Sequence, residues 1–273
     1  GTKVDGHDFI AEAIEKGAVA ILGQSGSKFQ LSLDNSFSSC FIACEDPRSA
    51  YPKLCSIYYN KQPEIIAGIT GTNGKSSVAE FTRQLWSFHS LSAASLGTLG
   101  LVTDKLSQQT NLTTPDPAEL FCLVKQLADK NITHLALEAS SHGLDQHRLD
   151  CLNIGIAAFT NLSRDHLDYH KSMQDYLLAK TLLFSDLLKD NGTAVINADD
   201  ENYSHIISSL DTSKTSVIDY GTQAKTLRLL GKRAELDGQI IDVEVFGKKR
   251  TVKLNLVGGF QVYNALCALG IAL

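Results

Sequence analysis

The stretch that decides the fold is Ile65-Ile66-Ala67-Gly68-Ile69-Thr70-Gly71-Thr72-Asn73-Gly74-Lys75-Ser76-Ser77, an apolar run followed by a short glycine loop. Residues 78–88 then have the pattern of a helix. A loop between a strand and a helix can cradle a phosphate, because its amides and the helix N-terminus face the anion. Lys75 adds a positive charge, and the Ser76 hydroxyl can bind magnesium. The loop therefore predicts a nucleotide site, with ATP in contact with Gly71, Thr72, Asn73, Gly74, Lys75, Ser76 and Ser77.

The loop alone leaves a second interpretation open. The full phosphate-loop pattern G-x-x-x-x-G-K-[ST] needs a glycine five residues before Gly74, where this chain has Ile69. A glycine turn followed by a helix that Ser76 or Ser77 caps fits the same residues. The rest of the chain has to decide between the two interpretations.

Strand-like and helical patterns alternate after Pro63. Apolar runs that suit buried parallel strands occupy residues 65–69, 132–137, 154–159, 194–197 and 216–218. Ligands of such sheets bind beyond the carboxyl ends of the strands, and Lys75, Glu138 and His166 follow the first three runs. Residues 226–256 predict antiparallel hairpins, and residues 260–273 predict a helix.

Residues 1–62 predict a smaller α/β unit before this sheet. Helical patterns at 9–16 and 49–59 alternate with strand patterns at 18–22 and 40–43, and Pro63 breaks the second helix. We therefore predict an α/β protein with two domains, at residues 1–62 and 63–273. The second has a mostly parallel, P-loop-type ATP-binding sheet with added antiparallel strands.

Composition excludes several classes of protein. The chain has 273 residues, 43% of them hydrophobic, and a formal net charge of -5, so it lacks the basic balance of a nucleic-acid binder. Its apolar runs fall short of the ~18 residues of a membrane span, and its start does not resemble a secretory leader. We expect a cytosolic protein without membrane insertion. Six scattered cysteines without a C-x-x-C pair predict buried, reduced thiols and disfavour a disulfide framework or a zinc site.

Lys180 lies in the middle of an apolar helical stripe. The stripe consists of Met173, Tyr176, Leu177, Leu183, Phe184 and Leu187, which recur at helical spacing around the lysine. Burial would lower the pKa of Lys180 and make its amine nucleophilic toward carbon dioxide. The alternative is a lysine whose stem covers the stripe while its amine reaches water.

Four further side chains are candidates for chemistry. His166 and His170 are four residues apart, which would place both on one helical face and suggests zinc, but zinc needs a third ligand and magnesium prefers oxygen. A hydrogen-bonded structural histidine is the alternative. Glu138 ends an apolar run and can either face a ligand or cap the next element. Arg148 can bind two oxygens of a carboxylate or phosphate, or form a surface salt bridge.

Several ordered segments together carry a family resemblance. They are Gly71 to Ser77, Leu112-Thr113-Thr114-Pro115-Asp116-Pro117, Leu137-Glu138-Ala139-Ser140-Ser141-His142-Gly143-Leu144-Asp145-Gln146-His147-Arg148, Thr160-Asn161-Leu162-Ser163-Arg164-Asp165-His166-Leu167-Asp168-Tyr169-His170, Tyr176-Leu177-Leu178-Ala179-Lys180 and Asn264. With them the chain resembles the Mur ligase family over nearly its whole length, and most closely the MurE branch.

The resemblance implies a role for each matching residue. Ser76, Glu138, His166 and a carbamate on Lys180 would bind Mg²⁺, and with Lys75 they would be the catalytic residues. Asn264 would contact the adenine of ATP. The residues matching the site for the UDP-sugar-peptide are Thr113, Thr114, Ser140, Gln146 and Arg148. Two positions depart from the family, since Leu112 and Gln261 both stand where asparagine is frequent.

The implied reaction is ATP-dependent amide formation on UDP-N-acetylmuramoyl-L-alanyl-D-glutamate through an acyl phosphate. The incoming substrate is a diamino acid, with meso-diaminopimelate favoured, in bacterial peptidoglycan synthesis. Residues 1–62 would be part of a uridine-nucleotide-binding domain. The family also has a C-terminal domain after the ATP-binding domain, so residues 1–273 alone are expected to be inactive.

Three alternatives stay open at this point. They are an L-lysine-adding MurE type, a ligase of the folylpolyglutamate synthase type, and a nonenzymatic nucleotide-binding module. Joint retention of Glu138, His166 and Lys180 disfavours the module, because nucleotide binding alone needs no buried lysine.

Overall fold

An eleven-stranded, mostly parallel sheet organises the part of the chain that this computed structural model describes, residues 4–26 and 40–273. Numbered along the chain, its strands lie side by side in the order β13 (Lys248–Leu254), β12 (Gly238–Val245), β11 (Leu227–Glu235), β10 (Ser216–Gly221), β9 (Thr193–Asn197), β8 (Ile154–Phe159), β3 (Ile65–Thr70), β7 (His134–Glu138), β4 (Ala93–Gly97), β5 (Gly100–Thr103) and β6 (Ser107–Gln108). The predicted α/β class is confirmed.

Strand β3 lies at the centre because both of its faces are apolar. Ile66, Ala67 and Ile69 are fully buried. The strand pairs in parallel with β7 on one side and β8 on the other. In this register Ile69 lies opposite Glu138, so the carboxyl ends of β3 and β7 meet at one edge of the sheet.

Antiparallel strands extend both ends of the sheet. The hairpins predicted for residues 226–256 are confirmed, since β11, β12 and β13 pair antiparallel. The strands β4, β5 and β6 at the other end were missed. The β4 segment is Ala93-Ala94-Ser95-Leu96-Gly97, and alanine, serine and glycine carry none of the β-branched or aromatic signal of a strand.

Helices cover both faces of the sheet. They are α3 (Lys75–Phe88), α4 (Pro117–Asp129), α5 (Ser141–Asp145), α6 (Met173–Leu182), α7 (Tyr203–Ser208) and α8 (Gly259–Ala272), and a π-helical turn at Leu183–Leu187 continues α6. Val78 of α3 and Leu266 of α8 belong to one core cluster. Leu120 of α4 belongs to the second cluster, and its complete burial contributes roughly 1.5–3 kcal/mol.

A small two-stranded sheet precedes the large one. Its strands β1 (Ala20–Gln24) and β2 (Cys40–Cys44) are parallel and accompany helices α1 (Ile10–Glu15) and α2 (Pro47–Tyr59) after a 3-10 turn at Gly6–Phe9. Helix α2 packs against α4 of the large unit. The division into domains at residue 62 stays a prediction.

The cysteines agree with the prediction only in part. Cys44, Cys55, Cys122, Cys151 and Cys267 are free thiols. Cys55 and Cys267 are buried, but Cys151, in the loop between α5 and β8, is exposed. The sixth cysteine, Cys40, has a side chain outside the described atoms. Among the described residues, every helix is too short or too polar to cross a bilayer.

Candidate active site

Two cavities meet at the glycine loop that follows β3. The first, of about 490 Å³, is lined by Thr72, Asn73, Gly74, Lys75, Ser76, Thr98, Leu112, Thr113, Thr114, Glu138, Ser140, Ser141, His142, Arg148, His166, Tyr176 and Lys180. The second, of about 670 Å³, is lined by Asn73, Gly74, Thr160, Asn161, Ser163, Asn197, Asp199, Tyr220, Phe260, Tyr263 and Asn264. Both include Asn73 and Gly74, so the loop separates the two cavities.

Gly71 and Gly74 have conformations that other residues rarely adopt. Their φ angles are +142° and +90°. A Cβ atom on Gly71 would lie 1.9 Å from Thr160 Oγ1, and one on Gly74 would lie 2.4 Å from Asn264 Oδ1. Glycine therefore allows the loop to pass close to β8 and α8, which leaves a backbone cradle before helix α3.

The segment after β8 clamps the loop. The Thr72 amide donates to Asn161 O at 2.8 Å, and the Asn73 amide donates to Asn161 Oδ1 at 3.0 Å. Asn161 Nδ2 donates back to Asn73 O at 3.0 Å. This role of Asn161 was not predicted, although its place just after the strand run 154–159 is the same signal that identified Lys75 and Glu138.

Lys75 and Lys180 converge on the loop backbone. Lys75 Nζ donates to Gly71 O at 2.8 Å and to Thr72 O at 2.9 Å, and Lys180 Nζ donates to Gly71 O at 2.9 Å. Lys180 is 1% exposed, and its Nζ lies 4.3 Å from the centre of the Tyr176 ring. The interpretation in which Lys180 reaches water is therefore wrong, because α6 presents it to the core.

Burial, together with the nearby charge of Lys75, lowers the pKa of Lys180 to about 6, while Asp165 acts against this shift. Burial also lowers the pKa of Lys75, while Glu138 and Asp165 act against that shift. A lysine amine that is neutral near pH 7 can act as a nucleophile.

Glu138 faces the first cavity from the end of β7. It is 2% exposed, and its Oε1 and Oε2 accept from the Thr98 amide at 2.8 Å and from Thr98 Oγ1 at 3.3 Å. The capping interpretation of Glu138 is wrong, because Ser140 caps α5 by accepting from the Gly143 amide. Thr98 was not predicted, since no strand was recognised before it.

His166 and His170 are not on a helix, so that prediction is wrong. His166 has φ +52°, which ends regular helical geometry, and α6 starts only after its cap Ser172. His166 is 43% exposed and lines the first cavity. His170 is buried, and its Nε2 has no hydrogen-bond partner among the described residues. Within those residues, His166 and His170 are not joined by a third His, Cys, Asp or Glu side chain that could complete a metal site.

Four of the residues expected to bind the UDP-sugar-peptide are connected by hydrogen bonds: Thr114, Ser140, Gln146 and Arg148. Arg148 donates to Thr114 O at 2.7 Å and to Gln146 Oε1 at 2.7 Å, so its guanidinium is held by neutral oxygens. Gln146 Nε2 in turn donates to the Tyr169 hydroxyl at 3.1 Å. Thr113, Thr114, Ser140 and Arg148 line the first cavity, while Gln146 lies behind Arg148.

The second cavity is polar beside the loop and aromatic at its rim. Asn264 Nδ2 donates to Gln261 Oε1 at 3.0 Å, so the residue that departs from the family orients the predicted adenine contact. Tyr263 donates to Asp199 Oδ2 at 2.8 Å, while Phe260 is 68% exposed. Aromatic surface with a few placed polar groups suits a planar base. Tyr263, Asp199 and Phe260 were not predicted.

Two Mur ligase family models together match nearly the whole chain. The Mur ligase middle domain matches residues 69–272, and the Mur ligase family catalytic domain matches residues 1–71. The chain is 42% identical to proteins of Zymomonas mobilis and Caulobacter vibrioides, both named UDP-N-acetylmuramoyl-L-alanyl-D-glutamate--2,6-diaminopimelate ligase. Both alignments cover 100% of this chain, which spans 55% and 56% of the two relatives.

Solved structures share the fold. A UDP-N-acetylmuramoyl-L-alanyl-D-glutamate--2,6-diaminopimelate ligase superimposes with a TM-score of 0.83 and 30% identity over 97% of this chain and 53% of its own. MurF of Thermotoga maritima, in complex with ADP, superimposes with a TM-score of 0.64 and 19% identity. The match covers 98% of this chain and 57% of MurF. A folylpolyglutamate synthase complex with AMPPCP superimposes with a TM-score of 0.64 and 14% identity, over 82% of this chain and 62% of the synthase. At such low identity, MurF and the synthase indicate the fold alone. Since the middle-domain model alone matches most of the chain, the chain belongs to the Mur ligase family.

Proposed function

We propose that the chain carries the phosphoryl-transfer site of an ATP-dependent amide ligase. The acceptor is UDP-N-acetylmuramoyl-L-alanyl-D-glutamate and the incoming substrate is a diamino acid, in bacterial peptidoglycan synthesis. The reaction needs activation, because a carboxylate is a poor acyl donor.

One observation carries the proposal. Lys180 is buried directly behind the glycine loop and shares the Gly71 carbonyl with Lys75. Burying a lysine is costly, and holding a nucleotide requires only backbone amides and one positive charge. The buried amine in the same cavity as Glu138 and His166 therefore supports an enzyme over a binding module.

The loop fits a nucleotide phosphate. Gly71 and Gly74 let the loop pack against Thr160 and Asn264, where a Cβ atom on either glycine would clash. Helix α3 begins at Lys75 directly after the loop, so its N-terminus can face a phosphate there. When ATP binds, Lys75 Nζ would exchange its hydrogen bonds to the Gly71 and Thr72 carbonyls for bonds to the phosphate oxygens. The aromatic cavity on the other side of Gly74 would hold the base, with Asn264 beside it.

The same residues fit magnesium once Lys180 is carbamylated. Magnesium is usually bound by one or two carboxylates together with nucleotide phosphates and water, which agrees with a cavity that holds few acidic side chains. Ser76, Glu138, His166 and carbamylated Lys180 would hold it. When bound, magnesium supplies positive charge that offsets the charge of the transferring phosphoryl group.

The carbamate would form by addition of the Lys180 amine to carbon dioxide. The neutral Nζ of Lys180 forms a bond to the carbon of carbon dioxide, one C=O electron pair moves to oxygen, and one N–H proton leaves to solvent. The product is an anionic group with two oxygens. Lys75 Nζ donates to the same Gly71 carbonyl as Lys180 Nζ, so its positive charge would stabilise the negative carbamate.

The chain's residues then serve two chemical steps. The D-glutamate carboxylate oxygen attacks the γ-phosphate of ATP, the bond to the bridging oxygen breaks and ADP leaves, while Lys75 and the loop amides stabilise charge on the transferring group. The amine of the diamino acid then attacks the acyl carbon, phosphate leaves, and the amine loses a proton to solvent to give the amide. Arg148, Thr113, Thr114, Ser140 and Gln146 would hold the acceptor so that its carboxylate faces the loop.

The favoured diamino acid is meso-diaminopimelate, since the relatives are named as 2,6-diaminopimelate ligases. An L-lysine-adding enzyme is the first alternative. The shared fold keeps a ligase of the folylpolyglutamate synthase type as the second. A location in the bacterial cytosol stays a prediction.

A ligation assay tests the proposal. Full-length protein is incubated with ATP, Mg²⁺ and the acceptor nucleotide, together with meso-diaminopimelate, L-lysine or no amino acid, and products are identified by mass. We expect phosphate release and a product one diaminopimelate residue heavier. A parallel reaction with a folate and L-glutamate should give no product. ATP binding without turnover on any substrate would instead support the nonenzymatic module.

A further inference from the structure

The Glu138 carboxylate is oriented by a residue that lies 40 positions earlier in the chain, at the turn between β4 and β5. Thr98 reaches both oxygens of Glu138, one with its amide at 2.8 Å and one with its hydroxyl at 3.3 Å. The preceding residue is Gly97, and a Cβ atom there would lie 2.0 Å from Glu138 Oε1. The Gly97-Thr98 pair therefore forms a close-fitting seat for this carboxylate.

The same hydroxyl also contacts the acceptor side of the cavity. Thr98 Oγ1 lies 3.1 Å from Thr113 Oγ1. A carboxylate only accepts hydrogen bonds, so the single proton of the Thr98 hydroxyl goes to Glu138. The Thr113 hydroxyl is then the donor to Thr98, which gives a directed row from Thr113 through Thr98 to Glu138.

A second connection joins the same two segments through the backbone. Thr114 Oγ1 donates to the Glu138 carbonyl at 2.9 Å and accepts from the Ser140 amide at 3.1 Å. Residues 113–114 and Glu138 are therefore tied together through both a side chain and a main chain. A ligand that binds the Thr113 hydroxyl removes its hydrogen bond to Thr98. This changes the hydrogen bond that the Thr98 hydroxyl donates to Glu138.

We propose that Thr98 is a positioning residue that holds Glu138 for magnesium and couples this carboxylate to the occupancy of the Thr113 subsite. The inference rests on the proposed function, in which Glu138 is a metal ligand and Thr113 contacts the acceptor. Coupling of two binding sites is reciprocal, so the acceptor changes the affinity for the magnesium nucleotide by the same factor as the reverse.

Calorimetry on the full-length protein tests the inference without turnover. The titrant is AMPPCP, either with saturating Mg²⁺ or with EDTA, and each titration is repeated with the acceptor nucleotide present. The proteins are wild type, Thr98→Val, Thr98→Ser, Thr113→Val and the Thr98→Val/Thr113→Val double variant. Thr103→Val is the matched control, because the Thr103 hydroxyl bonds with Lys105 and Leu106 in the turn between β5 and β6.

The expected result is a magnesium-specific loss. Thr98→Val should weaken AMPPCP binding about 10-fold with Mg²⁺ and leave binding in EDTA unchanged, the size expected for one hydrogen bond to a charged group. Thr98→Ser and Thr103→Val should behave like wild type. The acceptor nucleotide should change magnesium-AMPPCP affinity by a smaller factor in Thr98→Val and in Thr113→Val than in wild type. The double variant should lose no more of this coupling than either single variant does.

Other outcomes overturn the inference. If Thr98→Val matches wild type with Mg²⁺, or loses as much affinity in EDTA as with Mg²⁺, Thr98 does not position a metal ligand. If the double variant loses as much coupling as the two single variants together, the two hydroxyls act independently, and the proposed connection from Thr113 through Thr98 to Glu138 is wrong. Gly97→Ala gives a second route, because it should displace Glu138 and cause the same magnesium-specific loss. A wild-type protein that binds no magnesium-AMPPCP would refute the proposed function itself.

Discussion

Lys75 and Lys180 place their Nζ atoms on one oxygen, the Gly71 carbonyl, at 2.8 and 2.9 Å. Two ammonium groups so close would repel each other in a site that is largely removed from water. The conflict is relieved when Lys180 is neutral, and burial together with Lys75 lowers its pKa to about 6. Burial also lowers the pKa of Lys75, but Glu138 and Asp165 oppose that shift, so the two lysines differ in the charges that act on them.

Removing the loop lysine should abolish the reaction and spare the fold. In full-length protein, Lys75→Ala should lower turnover by ~10²-fold or more, because one positive group is lost from the phosphoryl-transfer site. Phosphate release and a thermal melt measure the two effects. Lys171→Ala, at an exposed lysine, is the control. Near-wild-type turnover of Lys75→Ala would restore the interpretation of the loop as a plain helix turn.

Isotope labelling tests the proposed carbamate on Lys180 directly. Protein equilibrated with ¹³C-labelled bicarbonate should give a carbamate carbon signal that is missing from Lys180→Ala. The variant should be nearly inactive, and a short-chain carboxylic acid should restore part of its turnover by supplying two oxygens in the same place. A wild-type spectrum without the signal, together with an active variant, would remove Lys180 from the mechanism.

The depressed pKa of Lys180 gives stability a specific pH dependence. Between pH 6 and 10.5 the unfolded lysine is protonated while the folded one is neutral, so the unfolded state binds more protons and the free energy of unfolding rises with pH. The slope from this group is at most ~1.4 kcal/mol per pH unit. Urea unfolding in carbon-dioxide-free buffer should show this rise from pH 6 to 8.

A matched substitution isolates that contribution. Lys180→Met removes the titrating group and keeps the volume, so its unfolding free energy should lack this rise and exceed that of wild type at pH 7 by a few kcal/mol. Lys171→Met should keep the wild-type profile. The same titration predicts that activity falls as the pH drops below about 6, because a protonated Lys180 cannot bond to carbon dioxide. Identical slopes for wild type and Lys180→Met would contradict the prediction.

Gly74 should tolerate no side chain. Gly74→Ala would place a Cβ 2.4 Å from Asn264 Oδ1 at a φ of +90°, so the loop or α8 has to move. We expect a loss of ~1–3 kcal/mol in stability and weaker AMPPCP binding. Gly6→Ala is the control, since nothing lies within 4 Å of its added Cβ. A melting temperature and nucleotide affinity like those of wild type would show that the loop conformation is not required.

Contiguous features were predictable from the sequence. The strand before the loop, the loop itself and helix α3 are consecutive, so short-range hydrophobic pattern and glycine chemistry sufficed to place Lys75. Glu138 was recognised for the same reason, at the end of an apolar run. The hairpins after Thr226 were likewise signalled by Asp237-Gly238. His166 was assigned to a helix that does not exist, because spacing alone cannot reveal a left-handed residue.

The seat of Glu138 and the clamp on the loop were decided by tertiary structure. Thr98 meets Glu138 only because β4 pairs with β7, and the small residues of β4 carry no strand signal. Asn161 reaches Asn73 because β8 lies beside β3. The apolar pattern identified the residues that end β3, β7 and β8 but missed the end of β4. Strand order, which depends on how distant segments bury their apolar faces against one another, sets which of those ends lie together.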